Sequence, residues 1–127
     1  MDRVVDGDTV IVSGERVRLI GIDAPESVKP DSPVECYGPE ASAALSRLIP
    51  RGTPVVLEYD IERRDRYDRT LAYVWLPRPA ALVNAALVSQ GFATVATFPP
   101  NVAHLADLEA AEDAARVADR GLWSACP

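Results

Sequence analysis

Residues 4–26 read VVDGDTVIVSGERVRLIGIDAPE, and this stretch decides the fold. Val4-Val5, residues 9–12 and residues 16–22 are rich in valine and isoleucine and predict three strands. Ser13-Gly14-Glu15 forms a compact turn between the last two. In the third strand Val17 and Leu19 alternate with Arg18, Ile20 and Ile22. Arg18 therefore shares a face with two isoleucines, an unusual place for a free charge.

Outward from there, residues 24–37 carry Pro25, Pro30 and Pro33 and predict a surface loop. Gly38-Pro39 opens a helix, with proline suited to its first position. Ala41, Ala44, Leu45, Leu48 and Ile49 give that helix an apolar stripe, and Pro50 and Gly52 end it. Residues 53–61 and 71–76 predict two more strands, joined by a charged connector over 62–69. A second helix is expected over 81–90, closed by Gly91, then a short extended segment over 92–97. Phe98-Pro99-Pro100 breaks the chain, and Asn101 is placed to cap a last helix. Leu105, Leu108, Ala111, Ala115 and Ala118 form the expected core face of that helix, and Gly121 terminates it. Short strands with a helix between the third and fourth predict an α+β chain: a five-stranded closed barrel of the OB type with three helices.

The 127 residues make room for one domain, expected to span 1–127, and the 48% hydrophobic content supplies a core and argues against disorder. No apolar run reaches bilayer-spanning length, and no signal peptide precedes the first strand; an upstream targeting segment or anchor stays open. The net charge of −6 has the wrong sign for holding nucleic acid by bulk electrostatics. Location matters more than the total. Asp107, Glu109, Glu112, Asp113 and Asp119 crowd the C-terminal segment, whereas Arg63, Arg64, Arg66 and Arg69 cluster mid-chain, so a local basic site on an acidic body is possible. Cys36, Cys126 and the single His104 are too few for an ordinary zinc site. The two cysteines are either buried thiols or one disulfide.

Asp6, Asp8, Asp23 and Glu26 fall at or near strand ends. Adjacent strand ends can bring Asp8 and Asp23 together, where carboxylates either repel or share a hard cation, calcium or magnesium. Turn chemistry is the competing reading, because Asp-Gly-Asp and Asp-Ala-Pro are ordinary turn sequences. Arg18 and Arg69 beside such a cation would clamp a phosphate that gains charge in a transition state. Simple salt bridges compete: Arg18 with an aspartate, Arg69 with Asp65 or Asp68.

Residues 5–9 (VDGDT), 18–26 (RLIGIDAPE) and 37–42 (YGPEAS) resemble the opening half of the staphylococcal nuclease-like, or thermonuclease, family. Residues 65–74 (DRYDRTLAYV) and 82–91 (LVNAALVSQG) resemble its second half, with Pro100-Asn101 and Gly121-Leu122-Trp123 matching its end. The match runs in order over nearly the whole chain. It implies an OB barrel with three helices and calcium-assisted hydrolysis of DNA and RNA phosphodiesters, single-stranded or locally unpaired stretches being favoured. By position, Asp8 and Asp23 match the calcium carboxylates, and the main-chain oxygen at Ala24 a third ligand. Glu26 matches the glutamate that acts as general base or positions the attacking water, and Arg18 and Arg69 the arginines that hold the scissile phosphate. Asp6 matches an aspartate beside the metal, Tyr67 matches a tyrosine that contacts nucleotide phosphate and Arg66 a basic residue near it on the substrate side, and Phe98 can stack on a base. A monomer is expected.

Three departures from the family bear on this. Ala24 stands where the family often has threonine, Asp68 where it commonly has glycine, and Thr97-Phe98 replaces a tyrosine pair. Asp68 tolerates left-handed geometry but sets a negative charge beside Arg69. Phe98 cannot hydrogen-bond a phosphate. Some secreted members resemble this chain in having one cysteine before the Tyr-Gly-Pro helix start and another after Gly-Leu-Trp. That resemblance implies a Cys36–Cys126 disulfide and an extracytoplasmic location; free thiols would imply a cytoplasmic one. Neither cysteine aligns with a catalytic position, so reduction is expected to lower stability and spare activity. An inactive nuclease-like module that binds nucleic acid or a protein partner is the alternative. Such modules lose catalytic carboxylates or arginines, whereas Asp8, Arg18, Asp23, Glu26 and Arg69 are all present here.

Overall fold

The alternation read in residues 4–26 becomes a meander in the computed structural model, which describes residues 1–27 and 33–127. The ends of the expected loop over 24–37 are irregular, as expected; its middle, residues 28–32, lies outside the described residues. β1 (Arg3–Asp6), β2 (Thr9–Val12) and β3 (Glu15–Leu19) pair antiparallel in succession, with a bulge between Val4 and Asp6. Val17 and Leu19 are buried on the inner face of β3. β3 then runs parallel to β6 (Thr70–Pro77), with Arg18 opposite Leu71. β5 (Val56–Glu58) and β7 (Ala80–Leu82) pair antiparallel with β6.

Three expected elements are cut short or divided. The strand over 16–22 stops at Leu19, because Gly21 takes a left-handed φ of 81° and a Cβ there would meet the Leu108 side chain. Ile22–Asp23 resumes as β4 and pairs with β8 (Thr94–Val95) in a separate two-stranded ladder. The strand expected over 53–61 is ordered as a ladder only at β5. The helix expected over 81–90 yields its first residues to β7, and α2 covers Val83–Ser89. Gly91 follows it with a φ of 80°, as the C-terminal glycine signal predicts.

α1 (Gly38–Leu48) carries its proline in the first turn and buries Ala41, Ala44 and Leu45, the stripe read from the sequence. α3 (Leu105–Val117) buries Leu108 and Ala115, whereas Ala118 lies past its end and is exposed. Asn101 does not cap it: His104 holds that position, and the Asn101 side chain instead brackets the main chain of Glu62. A fourth short helix, α4 (Leu122–Ala125), replaces the expected total of three. The chain is α+β with several strands and four helices among the described residues. Ladders run in the order β1-β2-β3-β6-β5 with β7 on β6, and no ladder among the described residues returns from β5 to β1. The expected closed five-stranded barrel is therefore an open path of pairing here. Ahead of β1, the Met1 amino group and carbonyl bond the main chain of Thr53 and Gly52, on the approach to β5.

Two connections across the core place the site. Buried Asn84 accepts from Val74 N–H and donates to the Ile20 carbonyl, tying α2 to β6 and to the end of β3. Gly91 and Gly121 touch backbone to backbone, and Leu122 N–H donates to the Gly91 carbonyl at 2.8 Å, so α4 is docked on the end of α2.

Candidate functional site

The β2–β3 register sets Thr9 opposite Arg18, and Leu19 N–H donates to the Asp8 carbonyl at 2.9 Å. Asp8 is thereby locked beside Arg18. Its Oδ2 accepts from Ala24 N–H at 2.9 Å and its Oδ1 from the Thr9 hydroxyl at 3.0 Å. Gly7 allows this close approach, since a Cβ there would stand 2.7 Å from the Ala24 Cβ and 2.9 Å from that of Ala41. Arg18 Nη2 lies 3.5 Å from Asp8 and 3.6 Å from Asp23, so one guanidinium nitrogen is shared by both carboxylates. Its other terminal nitrogen donates to the Leu19 carbonyl.

Asp8 and Asp23 differ in setting. The Asp8 side chain is 10% exposed and that of Asp23 65%. Surrounding protein and then the Asp8 carboxylate push the Asp23 carboxyl upward, with Arg18 opposing. Because Asp23 is so open to water, repulsion by Asp8 is the cause the geometry supports. Asp6 accepts from Gly7 N–H and from the Ser27 hydroxyl. Burial raises its carboxyl above the usual range, those two bonds offset part of this, and the neighbouring Glu26 carboxyl adds to it. Glu26 thus sits next to Asp6. Among the described residues, no three His, Cys, Asp or Glu side chains are gathered closely enough to enclose a metal ion.

Past Arg18 opens a groove of about 520 Å³ lined by Arg18, Arg66, Tyr67, Arg69 and Phe98. Asp65 builds its far wall. One carboxylate oxygen accepts from the N–H groups of Tyr67 and Arg69, and the other accepts from Arg69 Nε at 2.7 Å. Partial burial opposes ionisation of Asp65, but the Arg69 bonds and the Tyr67 N–H outweigh it and hold its carboxyl low. The bond engages Nε and so leaves the terminal nitrogens of Arg69 for another acceptor. Arg66 donates to the Tyr67 hydroxyl and lies over its ring. Tyr67 and Phe98 are 64% and 70% exposed, as surfaces for stacking must be. Asp68 has a φ of 62°, in the left-handed region that a side chain other than glycine rarely adopts.

The structure gathers the predicted residues into two adjoining groups. Asp6, Asp8, Asp23, Ala24 and Glu26 form an acidic corner; Arg66, Tyr67, Arg69 and Phe98 form the groove; Arg18 belongs to both. Cys36 and Cys126 are bonded, and with Asp23, Ala24 and Glu35 they line a second cleft of about 270 Å³. The sequence pattern gave Glu35 no role, placed Glu15 in a turn where it instead begins β3, and offered Asp65 only as a rival partner for Arg69. Glu15 accepts from Arg64 and from the Thr70 hydroxyl, pinning the connector over 62–69 to the start of β3. No local pattern marks such a contact, because its partners lie about fifty positions away.

The family of staphylococcal nuclease homologues matches residues 16–125. The thermonuclease of Staphylococcus hyicus is 41% identical over 126 residues, covering 96% of this chain and 73% of that protein. The thermonuclease of Staphylococcus intermedius is 42% identical over 125 residues, covering 95% and 73% respectively. Endonuclease YncB of Bacillus subtilis (strain 168) is 37% identical over 130 residues, covering 98% of this chain and 60% of its own length. With this family match over most of its length, the chain belongs to the staphylococcal nuclease homologue family.

Proposed function

We propose that this chain is a calcium-dependent nuclease that hydrolyses phosphodiester bonds of DNA and RNA. The observation that carries the reading is the position of Arg18, one guanidinium bordering both the carboxylate pair and the arginine-aromatic groove. Relatives named thermonuclease and endonuclease support it.

The donors fit a hard cation. Asp8 and Asp23 already converge on one positive nitrogen, and their mutual repulsion is what a divalent ion relieves. Asp8, Asp23 and the Ala24 main-chain oxygen would hold it, with Asp6 beside them. Bound calcium supplies charge neutralisation and orients water. Glu26 accepts a proton from the attacking water. Arg18 and Arg69 donate to phosphate oxygens whose charge grows as the new bond forms. The Arg18 contacts at 3.5 and 3.6 Å are longer than charge-assisted hydrogen bonds of about 2.7–2.9 Å, so this guanidinium is not committed to either aspartate. Neither arginine is assigned general-acid work, because a guanidinium holds its protons too firmly to pass one to a leaving group. Arg66 and Tyr67 contact nucleotide phosphate, and Phe98 stacks on an exposed base, which favours single-stranded or unpaired substrate.

The same proposal takes residues 1–127 as one monomeric domain of OB type, in which Met1 bonds the main chain of Gly52 and Thr53 ahead of β5. The disulfide supports an extracytoplasmic location. The reading is tested by digesting single-stranded DNA with calcium, with magnesium and with chelator. Cleavage with calcium that chelator abolishes is expected. The competing binding module has its own support, since Arg69 is paired to Asp65 and Arg18 stands 3.5 and 3.6 Å from two carboxylates. Binding of DNA without cleavage under any condition would favour it.

A further inference from the structure

Glu26 and Glu35 are joined by two hydrogen bonds. Glu35 N–H donates to the Glu26 carbonyl at 2.9 Å, and Glu26 N–H donates to Glu35 Oε1 at 2.7 Å. Both backbone groups of Glu26 are thus held by one residue. Gly38 N–H donates back to the Glu35 carbonyl, and a Cβ on Gly38 would collide with the Glu26 carbonyl oxygen, so the start of α1 closes over this pair.

Glu35 is exposed and would be a weak support on its own. Its neighbour Cys36 is bonded to Cys126, at the end of α4, with Cα atoms 5.8 Å apart. Cys126 N–H donates to the Leu122 carbonyl, and Leu122 N–H donates to the Gly91 carbonyl. A continuous covalent and hydrogen-bonded path therefore runs from the end of α2 through α4 and the disulfide to Glu35 and Glu26. Tyr37, stacked on Phe92 with centroids 5.5 Å apart, fixes the other side of Cys36. The disulfide also lines the cleft that contains Asp23, Ala24 and Glu35.

We propose that Glu35 is a positioning residue for Glu26, anchored by the Cys36–Cys126 bond, so that reducing this bond slows turnover as well as loosening the fold. The proposal rests on the nuclease reading above and replaces the expectation that reduction spares activity. A dithiol supplies the two electrons and two protons that convert the S–S bond to two thiols and is itself oxidised to a disulfide. The anchor is then lost while Asp8, Arg18, Asp23 and Arg69, held by the sheet and by Asp65, stay in place.

The test compares wild type, Glu35→Ala, Glu35→Gln, dithiol-reduced protein and the Cys36→Ser/Cys126→Ser double variant. Steady-state cleavage of single-stranded DNA in saturating calcium is read together with hydrogen exchange at the Glu26 amide, under conditions where circular dichroism shows each protein folded. Glu35→Ala should lower kcat about tenfold or more with KM little changed, the size expected when a group that orients a reacting residue is removed. Exchange at Glu26 should accelerate in parallel. Glu35→Gln keeps an acceptor oxygen and should recover much of both losses. Reduction and the double serine variant should lower kcat severalfold in the folded protein. Unchanged kcat and exchange in Glu35→Ala would overturn the positioning role, and full kcat after reduction would overturn the anchor. Equal loss in Glu35→Gln and Glu35→Ala would assign the effect to charge instead, also against the proposal. A wild type that cleaves nothing removes the nuclease reading itself, whereas an active wild type beside an active Glu35→Ala removes only this inference.

Discussion

Arg18 and Arg69 border the same groove but are put there by different means. Arg18 is fixed by sheet register, between Thr9 on one side and Leu71 on the other, and its side chain reaches two carboxylates without committing to either. Among the described residues Arg69 ends a connector with no ladder of its own beyond the Arg64–Thr70 bridge, and it is oriented by Asp65 through two hydrogen bonds to the carboxylate and one from the Asp65 N–H, and by Glu15 through Arg64 and Thr70. A strand delivers a side chain through backbone bonds, and the Arg18 head adds one main-chain bond and two long carboxylate contacts. A loop must spend polar side chains to do so.

The comparison breaks at four places, from the largest effect to the smallest. Arg18→Lys keeps the charge and loses the forked donor; kcat should fall about a hundredfold, with the melting temperature little changed. Near-normal turnover would mean that Arg18 serves only as a counter-ion for Asp8 and Asp23.

Asp65→Asn should cost about tenfold in kcat, by freeing Arg69 rather than by touching substrate. Its stability effect carries a pH signature. The folded Asp65 carboxyl is held below its unfolded value of about 3.9, so its contribution is full above that pH and is lost as pH falls through the folded value. The melting difference between wild type and Asp65→Asn should accordingly shrink on acidification below about pH 4. A pH-independent difference would show that charge on Asp65 is not what holds Arg69.

At the acidic corner, Asp23→Asn should weaken calcium binding on the order of tenfold by calorimetry, while stability without metal holds or rises because a like charge is removed. A less stable apo protein with unchanged calcium affinity would remove Asp23 from the metal site. The smallest effect belongs to Asp68→Gly. Relief of left-handed strain and the greater freedom of glycine in the unfolded chain are each worth about 1 kcal/mol and oppose one another, so the melting temperature should hardly move. Losing the Asp68 carboxylate, which lies 3.6 Å from Arg64 and adjoins Arg69 in sequence, should still raise kcat/KM severalfold at low ionic strength, and salt should erase the gain.

Features with a local cause were legible in the sequence. The α1 stripe follows from a 3.6-residue period, and the glycine after α2 follows from the left-handed position it must fill. Features decided by distant partners were not. Nothing in Ile20-Gly21-Ile22 announces a break, because the alternation continues and only the turn at Gly21 under Leu108 interrupts it. Residues 80–82 resemble the helix that follows and become a strand because β6 offers them an edge. Asn101 has the chemistry of a cap, yet Glu62 captures its side chain first. In the site, Asp8, Arg18, Asp23 and Glu26 fall within residues 4–26, where strand order alone draws them near. Glu35 was hidden: its importance lies in two bonds across a loop and in a disulfide to the far end of the chain.

The most direct test of the account is the initial rate of single-stranded DNA cleavage by wild type and Glu26→Gln in calcium, with DNA affinity measured in parallel. The wild type should cleave, chelator should stop it, and Glu26→Gln should be slower by about a hundredfold or more while binding DNA equally well. Cleavage indifferent to chelator, or a Glu26→Gln rate near that of wild type, would contradict it.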